Sequence, residues 1–150
     1  MTESMDAFVP HRGAMSWLDR LVEVGAEHAV AEATLRPDHL LVRDGGLSPS
    51  TGVEYMAQTV AAWAGAQRRA AEGAPTIGFL LGTRRYTCER DRFRVGETLC
   101  IRVQRLFQAD NGLGQFEAQI EIGSECVARA HLNVFGPDDP AAFLRGETPT

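Results

Sequence analysis

The chain has no lysine: all 15 of its basic residues are arginine. That uniform choice is a compositional bias and assigns no function by itself. The 20 acidic residues outnumber the arginines, leaving a formal charge of −5 that argues against a general nucleic-acid binder. Cysteine is scarce. Cys88, Cys100 and Cys126 are odd in number and show no CxxC spacing. That excludes a disulfide framework and gives no support to a metal site, so they read as reduced thiols in or near the core. No apolar stretch approaches the roughly 20 residues that a membrane span needs. The longest uncharged run, Tyr55 to Gln67, is alanine-rich and carries Gln58 and Thr59. The N-terminus shows no basic region followed by an apolar one, so a cytoplasmic location is the default expectation. Internal repeats, low-complexity tracts and linkers are also missing.

What is present suits one globular domain. A chain of 150 residues with 44% hydrophobic content can bury one core but hardly two. The expected organisation is a single domain over 1–150, with a loose leader at 1–7 and a tail at 137–150. Pro10 to Arg20 reads as a short helical turn, because Met15 and Leu18 are three apart. Ala29, Ala31, Ala33 and Leu35 then alternate with His28, Val30, Glu32 and Thr34, the period of a half-buried strand. Arg36 to Pro49, with two prolines and the Asp44-Gly45-Gly46 signal, reads as a loop.

The period changes at Gly52. Gly52 to Arg69 reads as a helix, opened by the capping box Thr51-Gly52-Val53-Glu54. Val53, Met56, Ala57, Val60, Ala61 and Ala64 form one apolar stripe, widened by Ala62, Trp63 and Ala66. A helix so apolar should be buried. Three half-polar strands follow. Their inner faces are Leu99, Ile101, Val103 and Phe107; Phe116, Ala118, Ile120 and Ile122; and Ala128, Ala130, Leu132 and Val134. Short turns join them into an antiparallel meander with one covered face. The single apolar helix is the natural cover, which predicts an α+β hotdog fold: an antiparallel sheet wrapped around one long central helix.

Three segments resemble a known family. Pro10-His11-Arg12-Gly13-Ala14-Met15-Ser16-Trp17-Leu18-Asp19-Arg20 resembles the opening motif of the 3-hydroxyacyl-(acyl carrier protein) dehydratases. Gly52-Val53-Glu54-Tyr55-Met56-Ala57-Gln58 resembles their central-helix motif. Phe93-Arg94-Val95-Gly96-Glu97-Thr98-Leu99 is similar to their strand-turn-strand. The Gly-x-Glu-Tyr-x-Ala-Gln form and the shortened loop resemble the ApeP-like group of aryl-polyene biosynthesis in particular. The better-known dehydratases place their catalytic histidine in Gly-His-Phe-Pro-Gly before the helix; here the loop reads Asp38-His39-Leu40-Leu41-Val42.

The resemblance implies a lyase for 3-hydroxyacyl thioesters carried on acyl carrier protein or coenzyme A. It requires no cofactor, and it implies a homodimer or a heterodimer with another hotdog subunit. The chemistry needs a base for the C2 proton, an acid for the leaving hydroxyl and donors for the thioester carbonyl. Glu54, within the first helical turn, is the candidate acid; the bland alternative is the capping box alone. His39 is the first candidate base and His11 the second, with structural roles as alternatives. His28 and His131 fall on polar strand faces. Gln58, one turn beyond Glu54, is expected to orient it or touch substrate, or else to be a polar residue at a dimer seam. The Gly52 N–H is a candidate donor to the substrate, unless Gly52 serves close backbone approach. Arg84, Arg85, Arg90, Arg92 and Arg94 form a candidate carrier-docking cluster, with a charge-guarded strand edge as the alternative. Two other functions stay open: a non-catalytic partner subunit, and a hotdog thioesterase.

Overall fold

The computed structural model describes residues 16–70, 79–108 and 113–135. His11, the leader, the tail and most of the opening motif lie outside them. The strands are β1 (Arg20–Val24), β2 (His28–Thr34), β3 (Gly46–Leu47), β4 (Phe79–Cys88), β5 (Phe93–Arg94), β6 (Thr98–Gln108), β7 (Leu113–Ile122) and β8 (Glu125–Phe135), with one helix, α1 (Gly52–Ala70). Six of the strands form one antiparallel sheet in the order β1-β2-β6-β7-β8-β4, and β3 pairs with β5 apart from it. The sheet wraps α1, which gives the hotdog arrangement expected. No helix among the described residues is long and apolar enough to cross a membrane.

The inner face of the sheet is built as the alternation requires. Ala29, Ala31 and Ala33 of β2 and Leu99, Ile101 and Val103 of β6 are buried under the helix. The small side chains of β2 let the helix lie close. Each large side chain buried there contributes roughly 1.5–3 kcal/mol. Trp63 and Gln67 of α1 both donate to the Gly25 carbonyl, at 3.1 and 2.9 Å, and so fasten the β1–β2 turn to the helix. All three cysteines are free and half-buried, as expected of reduced thiols near a core.

Several local expectations are corrected. Of the helical turn expected over Pro10 to Arg20, residues 10–15 lie outside the described residues, and Ser16 to Asp19 are irregular and run straight into β1. The helix buries Tyr55, Met56, Thr59, Val60, Ala62 and Trp63, whereas Val53, Ala57, Ala61 and Ala64 of the expected stripe are only half-covered. Phe107 is 57% exposed. A bulge between Arg105 and Phe107 shifts the phase by one residue, and Phe107 stands opposite Gln115 on the outer face. Arg105, still inside, lies over the Trp63 ring at 5.1 Å and pairs with Glu27 at 2.6 Å.

A second bulge, between Arg84 and Thr87, shapes β4. Arg85 takes the left-handed conformation with φ 56°, which costs an L-residue about 1–2 kcal/mol. The extra residue turns Tyr86 inward and sends Arg85 to the outer face beside Glu117, Gln119 and Arg129. Arg84, opposite His131, points the same way.

Candidate active site

The helix carrying Glu54 begins at Gly52 as its sequence suggests, but it is led in by a 3₁₀ turn. Ser48 is the N-cap, its hydroxyl accepting from the Ser50 N–H, and a 3₁₀ turn over Pro49–Thr51 runs into α1. The Thr51 N–H and hydroxyl both bond to the Ser48 carbonyl, at 3.1 and 2.6 Å. Thr51 is therefore spent on this turn, and the expected capping box with Glu54 is replaced by the serine cap.

Glu54 is half-buried in the first turn of α1. Its Oε1 accepts from Gln58 Nε2 at 3.2 Å, and Gln58 Oε1 accepts from the Trp17 N–H at 2.9 Å. Gln58 is fully buried. The Trp17 amide is a donor only, so it fixes the Gln58 oxygen toward itself and the Gln58 NH₂ toward Glu54. This orientation makes Oε1 an acceptor. Glu54 and Gln58 are thus brought together as the sequence predicts. Trp17 enters as a third member, which its side-chain type would not suggest because it acts through its backbone.

His39 is linked to this group only indirectly. Its ring meets Trp17 edge-on, with centroids 4.5 Å apart, and Trp17 in turn packs on Tyr55 at 5.1 Å. Burial pushes the Tyr55 hydroxyl up to about 12, with the Asp19 carboxylate adding to the effect, so it stays protonated. His39 Nδ1 accepts from the Leu41 N–H at 3.1 Å. The proton of a neutral His39 therefore sits on Nε2, which is buried and has no hydrogen-bond partner. Burial holds the imidazole below its ordinary range, although Asp38 opposes this, so the neutral form is favoured. An Nε2–H is a donor, and a base needs a lone pair there. The hollow beside His39, about 290 Å³, is walled by Trp17, Asp19, Thr34, Arg36 and Asp38, and Glu54 does not line it.

Gly52 is placed by packing. Its N–H points to the carbonyls of Pro49 and Ser50, which makes it part of the 3₁₀ turn. A Cβ at Gly52 would lie 2.2 Å from the Tyr86 hydroxyl oxygen and 3.2 Å from Ile120 Cδ1. Tyr86, turned inward by the β4 bulge, donates to the Pro49 carbonyl. Its burial raises its pKa and keeps the donor proton in place. Close approach is therefore the role that the geometry gives Gly52. No sequence pattern marked Tyr86, since an inward tyrosine there needs the bulge.

The arginine cluster divides. Arg90 is clamped to Glu97, at 2.6 and 2.7 Å. Arg92 holds the Asp44 carbonyl at 2.8 Å, and Arg94 pairs with Asp91 at 3.1 Å. Of these three only Arg94 lies on a strand, so they do not line up along one strand face as a docking cluster. Arg84 and Arg85 are exposed. His28 and His131 lie on the outer face, 2.8 Å from Glu23 and 3.8 Å from Glu117.

Comparison with known proteins gives this geometry a context. The family model described as ApeP-like, ApeP dehydratase, matches residues 3–145. Among solved structures, the dehydratase heterocomplex ApeI:P from Xenorhabdus doucetiae superposes with a TM-score of 0.88 at 27% identity, over 97% of each chain. A hypothetical thioesterase with coenzyme A from Streptococcus pneumoniae has a TM-score of 0.62 at 12% identity, covering 80% of this chain and 88% of its own. The PaaI protein from the E. coli phenylacetic acid degradation operon has a TM-score of 0.60 at 15% identity, covering 77% and 80%. These last two share the fold. No curated protein matches the sequence.

Proposed function

The chain belongs to the ApeP-like dehydratase family, and on that premise we propose that it takes part in dehydrating 3-hydroxyacyl thioesters delivered on acyl carrier protein, with Glu54 as the general acid. The observation that carries this reading is the fixed chain from the Trp17 N–H through Gln58 to Glu54 Oε1. It orients the Glu54 carboxyl and holds one of its oxygens as an acceptor within the first turn of the helix. In the reaction a base removes the C2 proton, and that electron pair becomes the C2–C3 double bond. The C3–O bond breaks, and the hydroxyl takes the Glu54 proton and departs as water. The helix N-terminus beside Glu54 favours the negative charge that gathers on the thioester during this step.

We place the base outside His39, because its Nδ1 accepts from the Leu41 N–H and the neutral ring then holds its proton on Nε2. His11 lies six residues before Trp17, whose N–H is fixed to the helix at Gln58. A histidine from a second subunit is the other source. That second reading, a site completed by a partner, is favoured by the half-covered helix face of Val53, Ala57, Ala61 and Ala64 beside Glu54. The similar ApeI:P structure is itself described as a heterocomplex. We therefore assign the chain to a hotdog pair, and the heterocomplex description of that similar structure favours a heterodimer over a homodimer. A sedimentation run of the purified chain, with and without a candidate hotdog dehydratase partner, tests the pairing. Dehydration activity should track the paired species. A stable monomer that turns over substrate alone would contradict the shared site.

A further inference from the structure

The outer face of the sheet gathers the arginines that the rest of the molecule leaves unmatched. Arg20, Arg36, Arg102 and Arg105 each pair with a carboxylate, at 2.7, 3.6, 3.4 and 2.6 Å. Arg43 bonds to the Val42 carbonyl, and Arg90, Arg92 and Arg94 are engaged as described. Among the described residues, Arg84, Arg85 and Arg129 carry no partner, and all three are exposed. They are neighbours: Arg84 stands opposite His131, and Arg129 opposite Thr87. Arg85 reaches the same face only because the bulge holds it at φ 56°. Arg85 and Arg129 line an open groove of about 250 Å³ together with Thr87, Gln119, Glu117 and His131. Glu117 is the one carboxylate in that wall, and it faces His131. The groove thus has a positive surplus on a chain whose formal charge is −5.

We propose that this groove binds a phosphate group. Forked guanidiniums on adjacent strands, about 4.8 Å apart, suit an anion with several oxygens in one place. Docking a whole protein surface would spread its contacts over about 800 Å² on each side, and these cations converge on one small groove instead. Thr87 and Gln119 add neutral donors. A strained residue is retained where the surroundings demand it, and a glycine at position 85 would relieve the strain while losing the charge. Phosphate binding itself does not depend on the catalytic assignment. The choice of its source does rest on the dehydratase reading: acyl thioesters arrive on coenzyme A or on the pantetheine arm of a carrier protein, and both carry phosphate.

Isothermal titration of the full chain with pantetheine, phosphopantetheine and coenzyme A tests this, using the Arg85→Gly and Arg129→Gln variants. Neither residue belongs to the proposed catalytic group, and glycine suits the backbone at position 85. Both phosphorylated probes should bind while pantetheine does not. Each variant should weaken that binding by about tenfold, the usual loss of one charge-assisted contact. Equal affinity for coenzyme A and phosphopantetheine assigns the groove to the arm phosphate. Much tighter coenzyme A binding assigns it to the nucleotide end. Binding of pantetheine as tight as phosphopantetheine, no binding of any probe, or affinity untouched by both variants overturns the proposal. The readout is binding, so a chain that binds phosphate but gives no turnover even when paired with a hotdog partner would remove the dehydratase reading and keep the groove.

Discussion

Glu54→Gln is expected to lower dehydration turnover by about two to four orders of magnitude, the scale on which general acid–base catalysis contributes. The substitution keeps the shape of the side chain and an oxygen that can accept from Gln58 Nε2, now 3.2 Å from Glu54 Oε1. What it removes is the transferable proton. The chain should therefore melt almost where the native protein does, because the position is half-buried and its Gln58 contact survives. Steady-state rates on a 3-hydroxyacyl thioester, set beside a thermal melt, separate the two effects. An unchanged rate would move the acid to the partner subunit and leave this chain as a structural half.

Gln58→Leu should damage both stability and rate. Gln58 is fully buried and bridges two elements 41 residues apart in sequence. Leucine fills a similar space but leaves the Trp17 N–H without an acceptor. A buried donor orphaned in this way costs about 1–3 kcal/mol, or roughly 2–10 °C in melting temperature for a chain of this size. Glu54 also loses the donor that fixes which oxygen accepts, so turnover should fall even at temperatures where the variant is fully folded. If Gln58 were only a space-filler at a seam, leucine would leave the melt unchanged or raise it. That result would detach Gln58 from the site.

Parts of the fold legible in the sequence were those with a clean period. Phe116, Ala118 and Ile120 alternate with polar neighbours and are buried on the inner face of β7. The same holds for Leu99, Ile101 and Val103 until the bulge at Arg105, where one extra residue inverts every later side chain and exposes Phe107. Alternation cannot announce a bulge. The α1 stripe holds only in part for the opposite reason: a helix that is apolar nearly all round has no face that periodicity selects, so Met56, Val60, Ala62 and Trp63 are buried as the stripe requires, and tertiary packing adds Tyr55 and Thr59. Ser48 was missed as the cap because Thr51-x-x-Glu54 fits the capping pattern equally well, and only the 3₁₀ turn distinguishes them.

The site was legible by residue type and only partly by role. Glu54 and Gln58 meet because four residues make one helical turn. The part played by Trp17 is a backbone hydrogen bond over a long sequence separation, which no local pattern encodes. His39 was chosen by its distance upstream of the helix, yet its usefulness depends on tautomer, and the Leu41 N–H that sets the tautomer is a detail of loop geometry. Similarly, the arginines at 84–94 look alike in sequence. Their division into clamped and unmatched groups depends on carboxylates and carbonyls that the fold brings from elsewhere, such as Glu97 and Asp44.

The central claim is that the Glu54 site makes and breaks the C3–O bond and spares the thioester. The most direct test runs the reverse reaction: a 2-enoyl thioester incubated in heavy-oxygen water with the chain and its hotdog partner, the products being read by mass spectrometry. The account predicts one heavy oxygen on C3 of an intact 3-hydroxyacyl thioester, and loss of that label in Glu54→Gln. Heavy oxygen in a free carboxylic acid, released with a free thiol, would instead mark a thioesterase and contradict it.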